Sequence, residues 1–247
     1  MKKHLFTFIL LLAAGAFLQG QDTGPSVGVQ AYLFDGKSIQ GPIGSYWYGL
    51  HDFDFSHSVG LNLEVPLSGR WSVQGGAALT HYAASSRGRG NISQGVVNIY
   101  TVDGPLPVVL PVLPANATEV DRMISWDFYY VDFQLGGAYF FNPSRFRAFI
   151  QPYIEANLFL ADNQTDELSY RPGNISAGPV FGRLPSVIRK LNFSGGMAIG
   201  AEYQLSRHLS VRIAPQAECM VFRMSDKSFG TGRLLSWGIN TGLSYRL

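Results

Sequence analysis

Few side chains in this 247-residue sequence are spaced for chemistry. His57-Ser58 sets a base next to a hydroxyl, and a histidine that can take a serine proton is the minimum of a nucleophilic site. Neighbouring residues on a strand point to opposite faces, so this pair cannot act as a unit without help. His51, His81 and His208 are less suggestive still. No metal-ligand spacing, phosphate loop or nucleotide fingerprint occurs, so no cofactor is expected and no catalytic or metal residue is assigned. The other chemically interesting groups are acids, Glu64, Asp132, Glu155, Glu202 and Glu218, and their meaning depends on the elements that carry them.

Those elements are strands. In the first, Val27, Val29, Ala31 and Leu33 alternate with Gly28, Gln30 and Tyr32, the period of two of a strand with unlike faces. The alternation returns seven times. Val59, Leu61, Leu63 and Val65 mark the second strand; Trp71, Val73, Ala77 and Leu79 the third; Tyr129, Val131, Phe133, Leu135 and Tyr139 the fourth. Ile150, Ile154, Ala156, Leu158 and Leu160 mark the fifth; Phe193, Met197, Ile199, Ala201 and Tyr203 the sixth; Leu209, Val211, Ile213, Ala217 and Val221 the seventh. In the eighth, Leu235, Trp237, Ile239, Leu243, Tyr245 and Leu247 alternate with polar residues to the last position. Pro152 and Pro215 remove ladder donors within two of these strands, and bulges are expected there.

Short and long connections alternate. Pro66 to Arg70, Asn142 to Arg145 and Ser206 to His208 are tight turns, whereas 36–55, 83–125, 162–190 and 225–233 are long links. Outer-membrane barrels have this asymmetry, with short periplasmic turns and long extracellular loops on an even number of strands. Aromatics cluster at strand ends: Trp71, Tyr139, Tyr203 and Tyr245 on the turn side, and Tyr129, Phe193 and Trp237 on the loop side, as interfacial girdles require. A soluble sandwich or lipocalin-like barrel would share the alternation but would need a charged outer face.

Composition agrees. Only 15% of residues are charged, against roughly 25% in soluble domains, and 13% are aromatic. The N-terminus reads as a secretory signal peptide: Met1-Lys2-Lys3-His4 precedes a largely apolar run from Leu5 to Leu18 that is too short to span a bilayer as a helix. The expected division is a signal peptide at 1–20 and one barrel domain at 21–247, a retained anchor being the competing reading. Cys219 is the sole cysteine, so neither a disulfide framework nor a lipid-attachment cysteine is expected. Removing Lys2 and Lys3 takes the formal +2 to 2 − 2 = 0, so nucleic-acid binding by bulk charge is unsupported.

The signal peptide, eight alternating segments, short turns and final strand Gly242-Leu243-Ser244-Tyr245-Arg246-Leu247 resemble the small outer-membrane barrels of the OmpA, OmpX and PorT-like superfamily. The resemblance implies an all-β, eight-stranded, antiparallel up-and-down transmembrane barrel in the bacterial outer membrane. It also implies contact with outer-membrane lipid and lipopolysaccharide, and a terminal strand read by the barrel-assembly machinery, although such strands often end in Phe and this one ends in Leu247. The group includes lipid A-modifying enzymes, which leaves such an activity as the alternative to a non-enzymatic structural, surface-interaction or secretion-accessory role.

A barrel of eight strands is wide enough only for its own side chains, so the inward set is expected to form a closed polar core rather than a pore. Its acids, faced by Arg212 and Arg246, outnumber its bases, so some are expected to be protonated, water-bridged or paired with a loop arginine; a structural network and a gated ion path are both open readings. The working surface is expected on the outer loops. There 96–113, with Asp103-Gly104 as its turn, reads as an apolar hairpin that meets a protein partner or folds over the mouth, and Arg171, Arg183, Arg189 and Lys190 could meet lipopolysaccharide phosphates.

Overall fold

A computed structural model describes residues 24–39, 52–93, 96–101, 104–109, 118–142, 144–171, 175–177, 189–222 and 233–247. The expected signal peptide, His51 and Arg183 lie outside these residues. Eleven strands are described: β1 (Ser26–Ile39), β2 (Asp52–Pro66), β3 (Trp71–Ser93), β4 (Val96–Thr101), β5 (Gly104–Val109), β6 (Glu119–Phe140), β7 (Phe146–Arg171), β8 (Ile175–Ala177), β9 (Leu191–Gln204), β10 (Leu209–Met220) and β11 (Arg233–Arg246). Eight of them, β1, β2, β3, β6, β7, β9, β10 and β11, pair antiparallel in chain order, and β11 pairs with β1 from Ser26↔Arg246 to Ile39↔Arg233. That last ladder closes the sheet, which removes the exposed edges an open sheet would carry.

Parity follows the alternation in the sequence. Val29, Leu61, Leu79, Phe133, Leu135, Ile154, Ile199, Ile213 and Leu243 project from the outer wall, while Tyr32, Gln74, Asp132, Tyr153, Glu202 and Gln216 are buried inside. A water-soluble barrel would invert this arrangement, because a continuous apolar exterior is covered only by a bilayer or a partner. Tyr129 to Tyr139 and Phe193 to Tyr203 each set two outward aromatics ten residues apart. At ~3.4 Å per residue and a tilt of ~40° that is a band ~26 Å tall, close to the ~25 Å apolar belt of outer-membrane barrels.

Two expectations need correction. The links at 83–125 and 162–190 are not loops throughout: β3 and β6 stay paired from Ser85↔Ser125 to Asn91↔Glu119, and β6 and β7 from Ser125↔Thr165 to Glu119↔Arg171. Along 86–91 and 162–167 polar side chains on both faces hide the alternation, 119–125 breaks it with Val120, Met123 and Ile124 among charged residues, and hydrogen bonding between neighbouring strands carries the ladder on. Pro152 and Pro215 are not bulges. They sit in register opposite Met197 and Ile239, and each ladder keeps the same register across them. The irregularities fall at Phe34/Gly36, Asp54/His57 and Tyr129/Tyr130, all toward the loop end.

Large rings fit inside so narrow a barrel because the sheet makes room for them. Tyr153 has Gly136 on one neighbouring strand and Gly196 on the other. A Cβ on Gly196 would run into the Tyr153 phenol and stand 2.7 Å from the Ala217 carbonyl oxygen. Gly196→Ala is therefore expected to cost about 1–3 kcal/mol, read as a lower urea midpoint of the folded chain in lipid vesicles. An unchanged midpoint would show that Tyr153 is free to move aside.

Candidate functional site

Three layers fill the barrel. Nearest the turns, Arg147, on the same inward parity as Phe149 and Gln151, pairs with Glu202, whose other oxygen takes an Arg212 N–H at 2.7 Å. Arg212 also donates to Glu64 at 2.6 Å, and Gln74 Nε2 donates to Glu64 at 2.7 Å. The guanidinium carbons lie 4.0 Å from the Phe140 ring centroid for Arg147 and 4.6 Å from that of Phe149 for Arg212. Two cations against two carboxylates, packed on aromatic faces, make a neutral floor in which each charge has its counter-charge.

Above the floor lie uncharged hydrogen-bonders, including Gln30, Asn62, Gln151 and Asn240, and above these the remaining acids. Asp132 accepts from Asn157 Nδ2 at 3.0 Å and from the Thr80 hydroxyl, which also bonds Ser58. Glu155 accepts from Ser194 at 3.5 Å, and Glu218 from Tyr153 at 3.4 Å. Among the described residues no cation pairs with Asp132, Glu155 or Glu218. Hydroxyl and amide donors serve them; of the alternatives open for these acids, pairing with a loop arginine has no instance among the described residues, which do not include Arg183.

The third layer corrects the expectation of a polar core throughout. Tyr32, Phe34, Tyr82, Ala84, Phe128, Tyr130, Met220 and Leu234 form one buried cluster across the loop-side interior. Tyr32 stacks on Phe34 at 4.6 Å, and Tyr82 meets Phe34 and Tyr130 edge-on at 5.2 and 5.5 Å. Their alternation with outward apolar residues leaves short stretches such as 31–34 and 128–131 with no hydrophilic side, which do not mark a second inward face. The described interior is thus filled by an ion network below and an aromatic layer above.

The sequence also missed Arg147, whose parity with Phe149 and Gln151 is the signal that would have found it. Arg246, expected as an inward base, lines the concave turn-side mouth with Arg147 and Glu202 and forms no ion pair there. His57 and Ser58 point to opposite faces, as expected: His57 is exposed and Ser58 buried. The ring next to His57 is His81, 5.0 Å away, and His81 Nε2 lies 2.8 Å from Asp127 Oδ1. This pairing joins β2, β3 and β6 across a bulge, so no local spacing reveals it. The adjacent hydroxyls, Ser56, Ser58 and Thr80, are buried on the inner face, away from the histidines. The described residues contain no group of three or more acids, histidines or cysteines placed to hold a metal ion.

On the loop end β3, β6 and β7 continue past His81, Tyr129 and Phe159 as a three-stranded wall, with β8 added on β7 and the β4–β5 hairpin on β3. The hairpin pairs Thr101 with Gly104 and Val96 with Val109, so the hairpin reading of this segment holds as far as Val109; 110–113 lie outside the described residues.

No protein-family model and no curated relative matches this chain. Among solved structures it is similar to Neisserial surface protein A, with 12% identity, 91% of this chain and 98% of that chain covered, and a TM-score of 0.43. It is similar to Ail, the attachment invasion locus protein of Yersinia pestis, at 11% identity, 91% and 99% coverage and a TM-score of 0.38. It is also similar to the outer membrane protein OprG of Pseudomonas aeruginosa, at 10% identity, 93% and 98% coverage and a TM-score of 0.41. The barrel assignment stands on the strand pairing of this chain.

Proposed function

We propose that this chain is a non-enzymatic barrel of the bacterial outer membrane that works through the surface it raises above the bilayer. The observation that carries the reading is the contrast between its two ends. At one end the strands are joined by turns of a few residues; at the other β3, β6 and β7 run about ten residues past the aromatic girdle, ~35 Å of strand at the usual rise. A paired wall of that height is not needed to span a bilayer. It supplies a rigid platform for contacts outside the cell, and loops and edges of this kind are where binding residues collect. The filled interior fits the same reading, since a barrel of eight strands is wide enough only for its own side chains.

The orientation is testable in intact cells. In a Cys219→Ser background, a cysteine placed at exposed Thr165 on the wall is expected to react with a membrane-impermeant maleimide. One placed at Ser206 in a turn should react only after the outer membrane is permeabilised. Labelling at Ser206 alone in intact cells would reverse the orientation and overturn the platform. A lipid A-modifying activity is the competing reading: the serine and threonine hydroxyls of Ser56, Ser58 and Thr80 lie on the face opposite the His81–Asp127 pair, and the outward hydroxyl beside that pair is the phenol of Tyr129, whose ring is 5.0 Å from His81.

A further inference from the structure

The turn end carries a charge pattern that the barrel itself does not require. Each of its three turns holds one arginine, Arg70, Arg145 and Arg207, and their described residues contain no Asp or Glu. All three arginines are exposed, and none forms an ion pair among the described residues. The turns themselves are held by other groups. Ser68 Oγ accepts from Trp71 N at 3.2 Å, Asn142 Oδ1 from Ala148 N at 3.1 Å, and Ser206 Oγ from Leu209 N at 3.1 Å. With the turn geometry already satisfied by these groups, the guanidinium charges are not needed to hold the turns.

Their surroundings indicate what that is. Each arginine stands at the rim beside outward-facing rings. Arg70 Nη1 donates to the Tyr139 hydroxyl at 3.4 Å, next to Trp71, whose ring lies 4.8 Å from that of Tyr139. Arg145 adjoins Phe146, paired with Tyr203, and Arg207 adjoins His208, stacked on Tyr245 at 5.7 Å. Trp71, Phe146, Tyr203 and Tyr245 are each about half exposed. A ring with its body toward hydrocarbon and a cation just beyond it lies at headgroup depth, where phosphate oxygens are. Three exposed arginines on turns whose described residues hold no acid, set at that depth, match an anionic headgroup in both sign and position.

We propose that the turn end of the barrel binds anionic phospholipid headgroups through Arg70, Arg145 and Arg207, so that the leaflet around it is enriched in anionic lipid. This rests on the membrane-spanning reading above, and the test separates the two. The full chain is refolded into phosphatidylcholine vesicles with Trp71 as its only tryptophan (W47F/W126F/W237F). Insertion is scored by heat-modifiable gel mobility. Quenching of Trp71 is then compared between phosphatidylglycerol and phosphatidylcholine brominated near the carbonyl end of the acyl chain, each at the same low mole fraction.

The expected result is local enrichment of phosphatidylglycerol on the order of fivefold, the weight of one surface cation against anionic lipid. It should shrink at high ionic strength and disappear in R70Q/R145Q/R207Q while insertion is retained. Equal quenching by the two lipids in inserted protein overturns the proposal and leaves the membrane reading intact. Enrichment that survives in the triple variant overturns the assignment to these arginines. Failure of the chain to insert overturns the membrane reading and the proposal with it.

Discussion

Replacing Arg212 with Met will destabilise the barrel by about 3–5 kcal/mol, the usual cost of removing one partner from a buried ion pair. Arg212 bonds Glu64 at 2.6 Å and Glu202 at 2.7 Å, with both carboxylates almost fully buried. Met preserves most of the packing against Phe149, so the loss falls on charge. The two acids do not suffer equally: Glu202 keeps Arg147, whereas Glu64 is left with only the Gln74 amide. Glu64→Gln added to Arg212→Met should therefore restore a large part of the loss. Urea unfolding of the two variants in vesicles measures both quantities. If the double variant is no more stable than the single one, the floor is not held by charge pairing.

The lipid-facing belt yields the second large effect. Leu135 is about half exposed and lies four residues from Tyr139 and six from Tyr129, near the middle of the band between the girdles. Leu135→Arg is expected to cost about 2–4 kcal/mol, against about 0–1 kcal/mol for the same change near an interface. Phe146→Arg, at the turn-side rim, supplies the interfacial comparison. In a barrel surrounded by water, arginine at Leu135 would be harmless or solubilising, so equal small effects at the two sites would place the belt outside hydrocarbon.

Much of the fold was legible because a strand writes its two faces into the chain with period two. The eight barrel strands, their outward sets and the three tight turns all follow from that local rule, and the exposed Val29, Leu61, Phe133 and Ile213 agree with it. Where both faces are polar, as along 86–91 and 162–167, the rule has nothing to read, and strands of the tall wall look like loops. The two prolines misled in the opposite sense. A missing N–H suggests a bulge, yet Pro152 and Pro215 keep their register because the neighbouring ladder bonds hold the strands in place.

The interior shows the same division. That Glu64, Asp132, Glu155, Glu202 and Glu218 face inward was visible from parity, as was the excess of acids. Which of them are neutralised was not. Arg212 reaches Glu64 across 148 positions of chain, and Arg147 reaches Glu202 across 55. Such meetings depend on the stagger of every intervening strand, and a slip of one residue would turn an entire face outward. Parity alone places the few chemically suggestive residues on alternating strands with unlike faces, because side-chain direction in a strand is a local property. It took the register of strand against strand to set His57 beside His81 rather than Ser58 and to carry three strands beyond the girdle, and the closed sheet to bring two arginines and two glutamates together as a floor. Register and pairing are relations between distant segments, and no single segment carries them.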